Sequence, residues 1–174
     1  MTYSATVPAA PAGASAAPPL DGNAVYDRVP LGATLRYFDG TPRPPERFTR
    51  KLRTWQRFNG VGRLNAKTAP WSGSFLYPAT ITLRDGAYGS EGTVILVVNH
   101  VFDVTTFLRF EIIDLPKPGM VRVLSRRKGG AELHRLASDM AEAEAWMAKN
   151  RYCDPIAEIV GDDEAGAIPV GRAA

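Results

Sequence analysis

The chain has 174 residues, of which 45% are hydrophobic and 22% charged, with a formal charge of +3 at pH 7. This length suits one domain with a substantial core, and the composition is that of an ordinary globular protein. No apolar run approaches the roughly 18–20 residues of a membrane-spanning helix, so we expect no membrane partner. The single cysteine, Cys153, excludes an internal disulfide framework and predicts a reducing compartment, the cytoplasm.

Both ends of the chain differ in composition from its middle. Residues 1–24 are rich in Ala, Pro, Ser and Gly and almost free of charge, which predicts a disordered tail. They have neither the basic start nor the continuous apolar stretch of a secretory signal. Residues 161–174 are acidic and rich in Gly and Ala, and we expect a flexible C-terminal tail. Residues 25–160 are therefore predicted to form a single domain.

The first half of this domain is predicted to contain a short strand and a basic helix. The strand lies within 29–38 and ends at the turn Asp39-Gly40. The helix lies between Thr41 and Gly60, with regular turns starting at Pro45, because the residues before consecutive prolines avoid helical angles. Its apolar stripe, at helical spacing, consists of Phe48, Leu52 and Trp55.

The opposite face of this helix and its flanks carry a cluster of cations. Such a cluster attracts a polyanion, and nucleic acid is the commonest one in the cytoplasm. Arginines contact phosphates, and an aromatic side chain stacks on an unpaired base. The structural alternative is that the stripe docks on a sheet while the cations keep the surface hydrated. The predicted anion-binding residues are Arg43, Arg47, Arg50, Lys51, Arg53, Trp55, Arg57, Arg63 and Lys67.

The second half is predicted to be mostly strands. An edge strand at 77–83 precedes a central strand at 93–99, which is apolar on both faces. A strand at 106–112 is expected to pair with the central strand through a hairpin that contains Asn99, His100 and Asp103.

Further strands at 120–125 and 132–137 flank a hairpin tip at Gly129-Gly130. Ser138 or Asp139 then caps a second helix that ends near Lys149, and a last strand follows at 156–160. The sequence thus predicts an α+β fold: an antiparallel sheet of about five or six strands with two helices and a disordered N-terminal tail.

Residues that could carry chemistry are few and scattered. His100, Asp103 and His134 have no recognised metal-ligand spacing, and Cys153 is an isolated candidate nucleophile. The run Gly60–Leu64 begins like a dinucleotide-binding fingerprint, but Asn65 stands where the third glycine is needed. We therefore predict no catalytic residue, no metal ligand and no cofactor.

Three runs give the chain a resemblance to other proteins: RFTRKLRTWQRFNGVGRL, LRFEIID and ELHRLASDMAEAEAWMAKNRY. They are similar to small uncharacterised accessory proteins of bacterial plasmids and integrative elements, over residues 42–160. The resemblance implies a mobile-element setting and carries over no active residues.

The leading functional hypothesis is a non-enzymatic accessory module that binds nucleic acid or an acidic protein through the basic helix. One alternative is a protein–protein interaction module that uses the sheet, an edge strand or the N-terminal tail. Another is a small enzyme of unknown chemistry, which would need a pocket gathering at least two of His100, Asp103, His134 and Cys153. The oligomeric state is left open.

Overall fold

The computed structural model describes residues 18–90, 93–127, 129–150, 154–162 and 164, with the side chains of 87–90, 93–96 and 127 excepted. Most of the predicted N-terminal tail, most of the predicted C-terminal tail and Cys153 lie outside the described residues. The helices are α1 (Gly22–Arg28), α2 (Thr49–Phe58) and α3 (Met140–Lys149). The strands are β1 (Thr34–Phe38), β2 (Gly60–Thr68), β3 (Trp71–Ser72), β4 (Leu76–Tyr77), β5 (Thr80–Ser90), β6 (Thr93–Asp103), β7 (Arg109–Asp114), β8 (Val121–Arg127), β9 (Gly130–Ala137) and β10 (Ile156–Ile159).

Eight of the strands form one antiparallel sheet in which β2 is the branching element. Six strands follow the order β10-β8-β9-β2-β1-β7. Strand β5 pairs with the other edge of β2, and β6 pairs with β5. β1 pairs with the start of β2, from Gly60 to Arg63, while β9 pairs with its end, from Ala66 to Thr68. Because β1 and β9 share one edge of β2, the sheet forks there. The short strands β3 and β4 form a separate hairpin.

The predicted α+β fold with five or six strands and two helices is wrong. Within the described residues, the chain is predominantly β, with an eight-stranded sheet, a two-stranded sheet and three helices. The main omission is β2, for which the sequence predicts no strand after the helix that ends at Gly60. Gly60, Gly62 and Asn65 interrupt its strand pattern, and pairing with three neighbouring strands compensates for their weak propensity.

The predicted hairpin around Asn99 and Asp103 is also wrong. β6 pairs with β5 along its length and β7 pairs with β1, so Asn99, His100 and Asp103 lie within β6. The cause lies in β5, where Asp85 forms a bulge between Arg84 and Gly86 instead of ending the strand. Strand β5 is consequently not an edge strand, since it lies between β2 and β6.

Two hydrophobic cores lie on different parts of the sheet. The larger one is covered by α1, whose Val25 is fully buried. The smaller one lies beneath α3, where Ala143 is buried with Trp146 and Met147 packed around it. The larger core comprises Val25, Val29, Ala33, Leu35, Tyr37, Leu64, Ile81, Leu83, Leu108, Phe110 and Leu115, and the smaller one Val121, Val123, Ala137 and Ala143.

The folded body begins before the predicted boundary at residue 25. Leu20 forms a backbone bridge with Phe110, and the Asp21 carboxylate accepts a hydrogen bond from the Ala24 N–H at 2.8 Å, which caps α1. Residues 20–24 are therefore part of the sheet and its covering helix.

The C-terminal elements largely confirm the sequence reading. β8 and β9 pair as the expected hairpin, and β10 adds to β8. Of the two predicted caps, Ser138 and Asp139, it is Asp139 that caps α3, by accepting the Glu142 N–H at 2.8 Å. The Glu142 carboxylate in turn accepts the Ser138 N–H at 2.8 Å and pairs with Arg135, and these hydrogen bonds lower the pKa of Glu142 to about 2.

Candidate nucleic-acid interface

Helix α2 stands away from both cores. Its regular turns begin at Thr49, which is later than predicted. A single turn, closed by the Phe48 N–H and the Pro45 carbonyl, precedes the helix. No side chain caps its N-terminus. None of its residues is buried. Leu52 and Trp55 are only half-buried and Phe48 is exposed, so the apolar stripe does not dock on the sheet.

A few polar contacts hold α2 against the loop that follows β1. The Trp55 indole N–H donates to the Thr41 carbonyl at 2.9 Å. At the other end of the helix, the Asn59 amide donates to both the Asp39 carboxylate and the Trp55 carbonyl, at 3.0 Å each. Hydrogen bonds from Thr41 and Asn59 keep the pKa of Asp39 below its ordinary value. The loop of residues 39–44 and α2 thus form one unit.

The cations of α2 have no acidic partners among the described residues. Arg43, before the helix, pairs with Glu46 at 3.2 Å. The remaining positive side chains of this region are exposed and form no ion pair with any residue that the structure describes: Arg47, Arg50, Lys51, Arg53 and Arg57. Their charge is therefore available to a ligand.

Exposed aromatic rings accompany these cations. The Arg47 guanidinium and the Lys51 ammonium lie 4.9 and 5.5 Å from the centre of the Phe48 ring. At the C-terminal end of α2, the Phe58 ring lies 5.7 Å from that of Phe107, which is 68% exposed. Rings flanked by cations are the usual components of a surface that binds unpaired bases.

An open groove of about 490 Å³ runs between α2 and the loop of residues 39–44. We call it the α2 groove. Two cations and two aromatic rings line its helix side, and two prolines and a carboxylate line its loop side. The lining residues are Asp39, Thr41, Pro42, Pro44, Arg50, Lys51, Thr54, Trp55 and Phe58.

Two predicted site residues lie elsewhere. Arg63 and Lys67 belong to β2 and not to the flank of a helix, and they point to opposite faces of the sheet. Arg63 pairs across the strands with Arg84, whereas Lys67 pairs with the core residue Ile81. The Lys67 ammonium donates to the Tyr26 carbonyl, and burial lowers the pKa of Lys67. Lys67 therefore has a structural contact on the core side.

A second run of basic residues lies in and after β8, and its first arginine, Arg122, is engaged within the fold. Arg122 is 3% exposed and donates to the Leu31 carbonyl at 2.8 Å. It also pairs with Glu158 at 3.2 Å and with Glu164. Arg122 thus links β8 to the residues before β1, to β10 and to the residues after it.

The candidate catalytic residues are dispersed. His100 lies beside the Tyr37 ring, with its Nε2 atom 3.7 Å from Asp85, while Asp103 faces the other side of β6. His134 lies on β9, where its Nε2 atom is 2.8 Å from the Ser125 hydroxyl. No group of metal-ligating side chains is found in the part of the chain that the structure describes. Cys153 lies outside it.

The sequence reading missed a projecting hairpin between β2 and β5. Trp71 and Tyr77 stack at 4.5 Å across β3 and β4, and Phe75 and Leu76 at its tip are 72% and 79% exposed. Because α2 precedes β2 and this hairpin follows it, the two features are attached to opposite ends of that strand. The signal in the sequence was the aromatic run around the turn residues Ser72–Ser74.

A family model described as "Uncharacterised conserved protein UCP036055" matches residues 20–164, which is most of the chain, so the chain belongs to that family. The matched region starts at Leu20, the residue that forms the bridge with Phe110. Neither the comparison with curated proteins nor that with solved structures gives a match. Among the described residues, no helix combines the length and hydrophobicity that crossing a membrane requires.

Proposed function

We propose that this protein is a non-enzymatic accessory module that binds single-stranded nucleic acid along α2, with a base held in the α2 groove. The observation that carries the proposal is that an amphipathic helix with unpaired cations stands free of both cores. A helix that contributes little packing to the fold has a face available for a partner. The mobile-element setting implied by the sequence resemblance remains part of this proposal.

Electrostatics and stacking supply the two components of such binding. Arg50 and Lys51 line the α2 groove and are placed to contact phosphates, which carry most of the affinity in nucleic-acid complexes. Phe58 lines the same groove and contacts the exposed ring of Phe107. Stacking on these rings requires unpaired bases, which favours a single strand over a duplex. The Trp55 indole N–H is already bonded to Thr41, so Trp55 positions the loop.

The test is fluorescence anisotropy of a labelled deoxythymidine oligomer at several salt concentrations. Wild-type affinity should fall steeply as salt rises, because bound cations displace the counterions of the phosphates. Replacing Arg50, Lys51, Arg53 and Arg57 together by Gln should weaken binding by roughly a hundredfold or more, since several phosphate contacts are lost. The variant should remain folded, because none of these side chains is buried.

A charge-matched control separates local contacts from net charge. In this control, Gln replaces four exposed cations elsewhere: Arg28, Lys117, Arg126 and Lys149. The net charge falls by the same amount as in the α2 variant, and the α2 groove stays intact. This control should bind nearly as well as the wild type. Equal losses in both variants, or no binding at low salt, would refute the proposal.

The aromatic component is tested separately. Phe58→Ala with Phe107→Ala should weaken single-strand binding by about tenfold or more, since each stacked base contributes about 1–3 kcal/mol. Binding of duplex DNA should change much less, because its bases are already stacked. An equal effect on both substrates would remove stacking from the proposal.

The projecting hairpin favours a second candidate function, association with a second copy of the chain or with another protein. Its exposed tip residues, Phe75 and Leu76, would bury their apolar surface in such an interface. Association of this kind is insensitive to salt, unlike binding through α2. Light scattering of the wild type and of Phe75→Ser with Leu76→Ser distinguishes the two. A stable dimer that dissociates in this variant supports the second candidate.

A further inference from the structure

A second cavity lies where the sheet forks, between the start of β2, the bulge of β5 and the strand β9. Its volume is about 350 Å³, within the usual range of small-ligand sites. We call it the fork cavity. Three arginines, a histidine and an aspartate line it. The lining residues are Thr34, Val61, Gly62, Arg63, Asn65, Arg84, Asp85, Gly86, Leu133, His134, Arg135 and Leu136.

Two arginines in this cavity lie directly opposite each other. Arg63 of β2 and Arg84 of β5 are partners in the strand register, so both side chains project from the same face of adjacent strands. Like charges in this position repel each other, and burial together with Arg63 lowers the pKa of Arg84, while Glu132 opposes this effect. An anion between the two guanidinium groups would remove the repulsion.

Hydrogen-bonding capacity in the cavity is also unused. The Nε atom of Arg84 is buried and has no partner among the described residues, although its NH1 atom donates to the His134 carbonyl at 3.3 Å. Asn65, the bulged residue of β2, is 2% exposed, and its side-chain amide makes no hydrogen bond to any residue described. Among the described residues, Arg84 Nε is the buried side-chain atom that lacks a partner, and a ligand oxygen that reached it would recover the free energy of the missing hydrogen bond.

The third arginine of the cavity, Arg135, is already engaged. Arg135 pairs with Glu142 at 2.6 Å, and Asp85 lies 3.7 Å from His100. The unengaged groups are therefore the Arg63 guanidinium, part of the Arg84 guanidinium and the Asn65 amide. All three of these residues line the fork cavity.

We propose that the fork cavity binds the phosphoryl group of a nucleotide-sized ligand through Arg63, Arg84 and Asn65. A carboxylate has two oxygens and is satisfied by a single guanidinium fork, whereas a phosphate monoester has enough oxygens to engage two forks and an amide. The cavity is larger than one phosphate, and the apolar side chains of Val61, Leu133 and Leu136 leave room for an organic group.

Phosphoryl groups come from two sources, a free mononucleotide or the phosphorylated end of a strand. Thermal unfolding of the full chain is measured with added deoxythymidine 5′-monophosphate, and with sodium chloride at matched ionic strength. The mononucleotide should raise the melting temperature, whereas the salt should not. Separately, 5′-phosphorylated and 5′-hydroxyl deoxythymidine oligomers are compared by anisotropy. Tighter binding of the phosphorylated oligomer, by tenfold or more, would identify a strand end as the source.

Arg63→Gln, alone and with Arg84→Gln, should abolish the rise in melting temperature. The Arg63→Gln single variant should remain folded, because the Arg63 side chain is exposed, so a lost response in it reports on binding. Without ligand it should be at least as stable as the wild type, since it removes a like-charge pair. Arg36→Gln is the matched control: Arg36 projects from the same face of the neighbouring strand, pairs with Glu111 at 3.1 Å and lies outside the cavity, so the rise should persist.

The proposal is wrong if the mononucleotide and the oligomer end both leave the protein unaffected, or if the Arg63→Gln variant responds as the wild type does. It is also wrong if sodium chloride gives the same rise as the mononucleotide. These outcomes are independent of the α2 groove. The variant that neutralises Arg50, Lys51, Arg53 and Arg57 should keep its mononucleotide response even where strand binding is lost.

Discussion

Helices α2 and α3 have the same length of ten residues and opposite relations to the fold. Helix α3 buries Ala143 in the smaller core and is capped by Asp139. Helix α2 has the clearer apolar stripe in the sequence, yet none of its residues is buried and no side chain caps it. An amphipathic pattern therefore does not by itself determine whether a helix packs on a core.

The connections of the two helices explain the difference. Helix α3 joins β9 to β10, and β8 lies between those strands, so the chain must cross the face of the sheet. That face carries Val121, Val123 and Ala137, which α3 covers. Helix α2 joins β1 to β2, which are direct neighbours, and so it lies in the connection at the end of a strand pair. Its cations are consequently free to contact a ligand.

The first prediction contrasts packing in the two helices and has the largest expected effect on stability. Ala143→Leu should destabilise the protein by about 1–3 kcal/mol, because there is no space for added methylenes in a packed core. Leu52→Ala should change the free energy of unfolding by only about 0.5 kcal/mol, as for surface positions. Urea unfolding measures both. A large cost of Leu52→Ala would show that α2 does pack against the body.

The second prediction concerns the cap of α3. Asp139→Ala should cost about 1 kcal/mol, because the Glu142 N–H loses its acceptor. Glu144→Ala, at an exposed position of the same helix, is the control and should leave stability nearly unchanged. Chemical denaturation of both variants tests this. If the two substitutions cost the same, the cap contributes nothing.

The third prediction uses pH. The pKa of Glu142 is lowered from 4.5 to about 2 by hydrogen bonds from Ser138 and Arg135, so its ionised form is favoured in the folded state. Its contribution to stability is fully present above about pH 4.5 and is lost as pH falls toward 2. The stability difference between wild type and Glu142→Gln should therefore shrink over this range in thermal unfolding at several pH values. A constant difference would show that ionisation of Glu142 does not matter.

The fourth prediction is the smallest and concerns α2 alone. If Arg53 contacts one phosphate, Arg53→Gln should reduce the slope of log affinity against log salt by about 0.7 for a single strand. Stability should not change, because Arg53 is exposed and unpaired among the described residues. Arg126→Gln serves as the control and should keep the wild-type slope. An unchanged slope for Arg53→Gln would remove this residue from the interface.

Sequence reasoning worked best where the signal was local. The Asp139 cap, the Gly129-Gly130 hairpin and the last strand each depend on residues a few positions apart, and all three are present. Sequence reasoning failed where the strands that pair with each other are distant in the chain. The continuation of β5 through Asp85 depends on the pairing of this strand with β2 and β6, which no local pattern encodes.

The candidate sites divide in the same way. The cations of α2 were identified from the sequence because they recur along one helix. The fork cavity was not, because Arg63 and Arg84 are 21 positions apart in the sequence and meet only through the register of β2 with β5. In the sequence Asn65 only interrupts a glycine motif, whereas the bulge of β2 places this residue in the lining of the cavity.

By itself the sequence determined the positions of most strands, the start of α3 at Ser138 or Asp139 and the cluster of positive charge between Arg43 and Arg57. These features follow from propensity, hydrogen bonding and charge over short separations. Only the tertiary structure decided that α2 remains undocked and that Arg63 lies opposite Arg84. Both depend on which strands are neighbours in the sheet, and strand order arises from packing across the whole chain.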